Sequence, residues 1–201
     1  MAWSVEWFVY CRDRPGSAQL RAQLTEAHWS YMDGFADAMI ARGPTLTEDG
    51  EAATGSLHIV DLPDLDAVRA FAFEEPYYRG GVFADVLIGR WRNELGRTMW
   101  EFAGDPVANE RFLVIGHGAA GAGIPDDGAE GRFLSIESHG DRIILRGPLL
   151  AEESDDWLGT GMLVEVADRA ELDRMIADDP NATAGRYVDV QVHRWRFGGR
   201  S

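Results

Sequence analysis

The 201-residue sequence contains no lysine, so all 19 of its cationic residues are arginine. Schiff-base catalysis and covalent attachment of pyridoxal phosphate both need a lysine amine, and these enzyme classes are therefore excluded. Cys11 is the single cysteine, which rules out an intrachain disulfide and any cysteine-rich zinc or iron–sulfur site. Because Cys11 ends an apolar run, we expect it to be a packed core thiol.

Positive charge is scarce as well. A net charge of −15 and an isoelectric point near 4.6 would repel a phosphate backbone, and no basic stripe offsets them. We therefore expect no nucleic-acid partner. No apolar run reaches the length that spans a membrane, and the start of the sequence lacks a basic region followed by a hydrophobic core. These absences predict a cytoplasmic protein without a membrane partner.

The chain contains an internal duplication. Residues 43–92 align with residues 147–196 at a constant offset of 104 positions, without a gap and with 14 identities in 50 positions. Two copies of about 100 residues indicate two domains rather than a solenoid of short repeats. We place the first domain at residues 1–98, a linker at 99–107 and a second, diverged domain at 108–201. A duplicated domain usually keeps the contact of its single-copy ancestor, which predicts a monomer with an internal pseudo-dimer, or a homodimer.

Periodicity gives the order of elements in the first domain. Aromatic and β-branched residues predict a strand over 4–11, and apolar residues spaced by three and four predict one long helix from Ser17 that is stopped by Gly43-Pro44. A short strand over 44–48, a strand over 54–62, a helix capped by Asp64 and a strand over 82–92 follow. This βαββαβ order is that of a ferredoxin-like unit.

The second domain begins with a strand over 111–115 and has a weaker first helix between about 128 and 139. In such a unit both helices cover one face of the sheet, and the other face needs a cover. The third strand is partly apolar on both sides, so the predicted fold class is α+β: two ferredoxin-like units packed sheet to sheet as an intrachain dimeric α+β barrel.

A glycine-rich segment, Gly116-His117-Gly118-Ala119-Ala120-Gly121, has the spacing of a dinucleotide-binding fingerprint. That fingerprint must open a helix at once, whereas Gly123, Pro125 and Gly128 follow here. We interpret the segment as a surface loop and expect no nicotinamide or flavin cofactor. The five histidines form no H-x-H, H-x-x-x-H or H-E-x-x-H pattern, so no sequence-local metal site is supported.

His28 is the histidine of most interest. It lies on the apolar face of the first predicted helix, which fits either a satisfied core histidine or a functional one. The duplication places Arg132 at the corresponding position, and arginine is a poor substitute for a packing histidine. Ser56 and its counterpart Thr160 start the third strand after a glycine, where a hydroxyl can also cap a turn. Glu75 and Asp179 each precede a proline, where a carboxylate can simply end a helix.

The first half of the chain resembles the YciI-like (YCII-related) proteins over nearly its whole length, and the second half resembles them from Gly147 onward. The resemblance is carried by Glu26-Ala27-His28-Trp29, Gly43-Pro44, Thr54-Gly55-Ser56, Glu74-Glu75-Pro76-Tyr77 and Gly81-Val82-Phe83-Ala84-Asp85-Val86.

This resemblance implies a ferredoxin-like fold, dimeric in single-copy members, with a histidine and a carboxylate in a cleft near the interface. His28 matches the family histidine, and Glu75 matches an aspartate that precedes Pro-Tyr. A dehydrochlorinase acting on a chlorinated hydroxyhydroquinone belongs to the family. Since Arg132 replaces the histidine in the second half, while Asp179-Pro180 is retained, at most one working site per chain is expected.

The leading hypothesis is a cofactor-independent lyase or isomerase with a small-molecule ligand. His28 would be its general acid or base, with Glu75 and Ser56 as candidate partners. The alternative is a non-catalytic ligand-binding or protein-interaction domain in which His28 is only structural.

Overall fold

The computed structural model describes residues 5–119 and 139–199. The chain divides into two compact units, one formed by Met1–Trp91 together with Trp195–Ser201 and the other by Arg92–Arg194. The helix predicted between 128 and 139, with Arg132, lies outside the described residues, and so does Gly121. None of the described helices is both long and apolar enough to cross a membrane.

The first unit has the predicted order of helices and strands, with one additional short helix. Its elements are β1 (Val5–Asp13), α1 (Ala18–Asp33), a 3-10 turn (Ala36–Ala38), β2 (Met39–Leu46), β3 (Ala53–Leu62), α2 (Leu65–Phe73), α3 (Pro76–Arg79) and β4 (Phe83–Trp91). The antiparallel sheet has the strand order β4-β1-β3-β2, in which Val9 lies opposite both His58 and Ile88. This order is that of a ferredoxin-like sheet.

The helices pack on a core that the sheet shares with them. Trp7, Val9 and Val60 from the strands meet Met32 of α1 and Phe71 of α2 in one buried cluster. Cys11 belongs to the same cluster, as predicted, and burial raises the pKa of its thiol well above the usual range. As the sequence also predicts, Asp64 caps α2: its Oδ1 accepts a hydrogen bond of 2.8 Å from the Ala67 amide.

The prediction that the first helix continues to Gly43-Pro44 is wrong. Helix α1 stops at Asp33, and Met39 already begins strand β2, which also contains Gly43-Pro44. Phe35 and Ala38 continue the apolar spacing because they pack, partly buried, against the same core as the helix, although neither belongs to the α-helix. Their burial, and not their backbone conformation, produces the helical periodicity.

The second unit repeats the strand arrangement of the first. It contains a 3-10 turn (Met99–Glu101), β5 (Glu110–Gly118), β6 (Ile143–Leu150), β7 (Trp157–Val166), α4 (Arg169–Ala177), α5 (Pro180–Thr183) and β8 (Tyr187–Trp195). Its antiparallel strand order, β8-β5-β7-β6, matches that of the first unit.

The sequence predicts a loop for the glycine-rich segment, but the first residues of this segment lie in a strand. Gly116 and Gly118 belong to β5. A Cβ at Gly116 would lie 2.6 Å from the Tyr187 ring, and a Cβ at Gly118 would lie 2.5 Å from the Trp157 ring. These two glycines are therefore explained by close aromatic packing rather than by a phosphate-binding turn.

The chain returns to the first unit at its last described residues. The Gly198 amide donates to the Arg42 carbonyl at 2.9 Å, and the Arg196 amide donates to the Pro44 carbonyl at 3.3 Å. At this crossing a Cβ on Gly43 would lie 2.0 Å from the Arg196 carbonyl oxygen and 2.8 Å from the Trp195 ring. Glycine at position 43 is therefore required by the close approach of two backbones.

Replacing Gly43 by Ala should lower the free energy of unfolding by about 2 to 3 kcal/mol, because backbone atoms must move apart to admit the methyl group. Gly34→Ala is the matched control. Gly34 ends α1 at φ −66°, and its nearest neighbour would lie 3.2 Å from the new Cβ, so a change of less than about 0.5 kcal/mol is expected. Urea denaturation of the two variants measures the difference, and equal midpoints would contradict the packing argument.

Candidate active site

A cavity of about 460 Å³ opens in the first unit beside α1. Helix α1 supplies one wall, the strands β2 and β3 supply a second, and the last described residues supply a third. The lining residues are Arg21, Thr25, His28, Trp29, Met32, Arg42, Gly43, Pro44, Ala53, Ser56, His58, Tyr77, Arg196, Phe197, Gly198 and Gly199.

The wall formed by α1 is a single stripe along the helix. Arg21, Thr25, His28 and Met32 follow one another at spacings of four, three and four residues, which places them on one face. His28 and Met32 are the buried members of α1. The stripe changes from charged to apolar along its length, so polar groups meet the cavity nearest the start of the helix.

His28 and Glu75 form a buried hydrogen-bonded pair. His28 Nδ1 lies 2.8 Å from Glu75 Oε2, and the side chains are 9% and 2% exposed. The other oxygen, Oε1, accepts a hydrogen bond of 2.9 Å from the Tyr78 amide and so caps α3, which begins at Pro76. Glu75 is thus fixed by the helix that it caps and presents its second oxygen to the imidazole.

Burial shifts both members of this pair toward their neutral forms. It lowers the pKa of His28 to about 3, assisted by the positive charges of Arg21 and Arg42. It raises the pKa of Glu75 to about 7, against the opposing effect of hydrogen bonds from the Tyr77 and Tyr78 amides. The imidazole is therefore neutral at cellular pH, and the proton that titrates near pH 7 belongs to the carboxyl group.

The tautomer of His28 follows the ionisation of Glu75. When Glu75 is ionised it can only accept, so Nδ1 carries the proton and Nε2 holds a lone pair. When Glu75 is protonated it can donate to Nδ1, and Nε2 then carries the proton. One pair of residues can thus present either a base or an acid at Nε2.

Aromatic and cationic groups hold the imidazole in place. The Tyr77 ring stacks on His28 with centroids 4.1 Å apart and an interplanar angle of 15°. The guanidinium of Arg21 lies 4.5 Å from the centre of the same Tyr77 ring, and the Tyr77 hydroxyl lies 3.1 Å from Thr25 Oγ1. The ring of His58 is also buried, with its centroid 5.7 Å from that of His28, and burial lowers the pKa of His58 well below the usual value.

Ser56 lies at the same cavity but is held by a different residue. Its Oγ accepts a hydrogen bond of 2.7 Å from Arg21 Nη2, which also donates to the Gly55 carbonyl at 3.3 Å. Arg21 Nη1 contacts the Asp13 carboxylate at 2.7 and 3.0 Å. The three predicted site residues therefore come together at one cavity, His28 and Glu75 in direct contact and Ser56 as a partner of Arg21.

Sequence reasoning missed Arg21, Asp13 and Tyr77. A usable signal exists for Arg21, because it lies seven residues before His28 and thus on the same helical face. Tyr77 lies in the motif Glu74-Glu75-Pro76-Tyr77, which drew attention only to Glu75, and Asp13 follows no local pattern.

In the second unit, buried charged side chains pair with one another at the positions equivalent to Arg42 and Glu75. Arg146, the counterpart of Arg42, is 2% exposed; it contacts Asp179 at 3.1 Å and also pairs with Glu94. Asp179, the counterpart of Glu75, also accepts from the Tyr187 hydroxyl at 3.1 Å and from the Asn181 amide at 2.9 Å. Burial disfavours the charged form of Arg146, but the two carboxylates outweigh burial and raise the pKa of its guanidinium.

Metal-ligating side chains do not cluster within residues 5–119 and 139–199: no group of three or more histidine, cysteine, aspartate or glutamate residues could hold a metal ion there.

Similarity to solved structures shows the fold. A chlorite dismutase from Candidatus Nitrospira defluvii is 10% identical and matches over 96% of this chain and 92% of its own, with a TM-score of 0.61. A putative monooxygenase from Fusobacterium nucleatum is 9% identical and matches over 98% and 94%, with a TM-score of 0.56. These are dimeric α+β barrel proteins, and the mixed α+β fold class predicted from the sequence is confirmed.

Single-copy relatives match one half of the chain. The 5-chloro-2-hydroxyhydroquinone dehydrochlorinase of Burkholderia phenoliruptrix AC1100, solved with 2,5-dihydroxybenzoquinone, is 30% identical over 46% of this chain and 98% of its own, with a TM-score of 0.43. An uncharacterized protein of Haemophilus influenzae is 26% identical over 89 residues, which are 41% of this chain and 91% of the relative. The profile of the YCII-related domain matches twice, at residues 5–92 and 93–196. The chain therefore belongs to the YCII-related domain family and carries the domain in tandem.

Proposed function

We propose that the first unit is a cofactor-independent enzyme of small-molecule metabolism, a lyase or isomerase in which His28 is the general base or acid. The observation that carries this proposal is the buried 2.8 Å contact between His28 and Glu75 at the wall of a cavity. A carboxylate hydrogen-bonded to Nδ1 orients the imidazole and would stabilise the imidazolium that forms when Nε2 takes a proton.

The chemistry that this pair supports is removal of a proton from an enolisable or phenolic substrate. With Glu75 ionised, His28 Nε2 takes the proton while Nδ1–H stays bonded to the carboxylate. In an elimination the electron pair then expels a leaving group; in an isomerisation the imidazolium returns the proton at another position. Arg21, held by Asp13 and Ser56, places a positive charge at the cavity wall, where it would stabilise an enolate or phenolate.

The rival hypothesis is a ligand-binding or interaction domain in which His28 is only structural. It is favoured by the burial of His28, which is 7% exposed and stacked on Tyr77. The two hypotheses differ in what they require of Nε2, since a structural histidine needs only its packing and its bond to Glu75.

Replacing His28 by Asn separates them. The amide nitrogen of asparagine can occupy the place of Nδ1 and donate to Glu75, while the variant lacks Nε2. We expect turnover to fall by about 10² to 10⁴-fold with only a small change in melting temperature. Turnover is measured over a panel of phenols and enolisable carbonyl compounds, by deuterium exchange from solvent and by chloride release from a chlorinated hydroxyhydroquinone.

His139→Asn is the matched control, because His139 lies in the second unit, 3.9 Å from Asp178, and should leave turnover unchanged. A folded His28→Asn variant as active as the parent would refute the catalytic role. Loss of 1 to 3 kcal/mol of stability with activity retained is what the structural hypothesis predicts.

A further inference from the structure

Each unit contains its own backbone hydrogen bond at an equivalent position. In the second unit the Glu94 amide donates to the Arg146 carbonyl at 3.0 Å, and in the first unit the Gly198 amide donates to the Arg42 carbonyl at 2.9 Å. The offset of 104 positions that relates the two halves pairs Glu94 with Gly198 and Arg146 with Arg42. The segments that follow β4 and β8 therefore pass the β6 and β2 arginines in the same way.

The side chains at these equivalent positions differ. Glu94 carries a carboxylate that pairs with the buried Arg146 guanidinium. Gly198 has no side chain, and together with Arg42 it borders the cavity. The guanidinium of Arg42 stands beside the next glycine, since a Cβ on Gly199 would lie 2.7 Å from its Nη2. The first unit thus has the arginine and the backbone of the second unit, but it lacks the carboxylate that Glu94 supplies.

We infer that the ligand of the first unit carries a carboxylate, which binds Arg42 in the place that Glu94 occupies on Arg146. The pair of Glu94 with Arg146 in the second unit would then resemble the pair that a ligand carboxylate forms with Arg42 in the first unit. This inference rests on the proposed function, because it names the substrate class of the same site: a small organic acid whose reactive carbon lies toward His28.

The charges around the cavity agree with an anionic ligand. Arg21, Arg42 and Arg196 line it. Asp13 is held by Arg21 at 2.7 Å, and Asp33 lies 3.6 Å from Arg42 with 45% of its side chain exposed to water. A ligand carboxylate at Arg42 would compete with this solvated carboxylate, and a guanidinium binds a carboxylate through two parallel hydrogen bonds.

Binding of benzoate and of its neutral isostere benzamide tests the inference without any assay of turnover. On the full chain we expect benzoate to bind at least tenfold more tightly than benzamide, as measured by calorimetry or by NMR titration. Arg42→Met should remove this preference while the affinity for benzamide changes less than twofold. Arg174→Met, which makes the same charge change on the exposed surface of the second unit, should preserve it.

A second variant repeats the arrangement of the second unit. Gly198→Glu would place a carboxylate near Arg42 and should abolish benzoate binding. The new Cβ would lie 2.8 Å from the Gly43 Cα, so the folding of this variant is checked by circular dichroism.

Three results would each overturn the inference: equal affinity of the parent for the two probes, no binding of either probe at millimolar concentration, or a preference for benzoate that survives Arg42→Met. His28→Asn should keep the preference for benzoate. A preference with no turnover on any substrate would leave the carboxylate site standing and count against the proposed enzyme.

Discussion

Replacing Arg146 by Met should lower the free energy of unfolding by about 3 to 5 kcal/mol. Arg146 is paired with two carboxylates, Glu94 and Asp179, whose side chains are 8% and 3% exposed. Removal of the arginine leaves both carboxylates buried with their charge uncompensated, and that desolvation penalty dominates the loss. Urea denaturation of the full chain at pH 7 measures the change.

Arg12→Met is the matched control, because Arg12 pairs with Asp85 on the surface, with 61% and 50% of the side chains exposed. Pairs of this kind contribute about 0 to 1 kcal/mol. If Arg146→Met lowers the free energy of unfolding by less than about 1 kcal/mol at pH 7, the pairing of Arg146 with Glu94 and Asp179 does not stabilise the second unit.

Replacing Glu75 by Gln should lower turnover by about 10² to 10⁴-fold and remove its dependence on pH near neutrality. In the parent, the pKa of Glu75 is raised to about 7, and only the ionised carboxylate leaves a lone pair on His28 Nε2. Activity that uses His28 as a base should therefore rise as the pH increases through about 7. Glutamine can still accept from the Tyr78 amide, which preserves the cap of α3, but it cannot ionise.

Stability provides a second readout for this pair. Because the folded-state pKa of Glu75 is raised above its ordinary value of 4.5, the folded state binds the extra proton between about pH 4.5 and pH 7. The corresponding stabilisation is fully present below pH 4.5 and is lost as the pH rises through about 7, by about 3 kcal/mol. Glu75→Gln should lack this dependence. A variant with the pH profile of the parent, in activity and in stability, would separate Glu75 from His28.

Much of the fold could be predicted from sequence because it depends on local periodicity and on the duplication. Alternating strands, the Asp64 cap and the common register of the two halves are properties of neighbouring residues or of a direct comparison. The end of α1 was predicted wrongly because Phe35 and Ala38 remain on the core face after the helix has stopped. Gly34, which follows the last helical residue, was a local stop signal, but the apolar spacing continued past it because tertiary packing keeps these residues on the core.

The candidate site could be predicted only in part. His28 was assigned to the sheet-facing side of its helix from periodicity, and Glu75 came from the family resemblance. The contact between them joins α1 to the start of α3, 47 residues away. Arg21 bonds to both Asp13 and Ser56, and the three residues come from separate elements. The pairing of Arg146 with Glu94 spans 52 residues. Contacts at such separations depend on the assembled fold, so a single sequence contains no local pattern for them.

The return of the chain at Trp195 to Gly199 has a consequence for biosynthesis. The residues that complete the cavity of the first unit follow its last strand by about 100 positions. A ribosome adds about 5 to 20 residues per second, and domains fold in order from the N-terminus. The wall formed by residues 196–199 is therefore synthesised about 5 to 20 seconds after the end of β4. During that interval the nascent chain contains His28 and Glu75 but not the residues that form the third wall of their cavity.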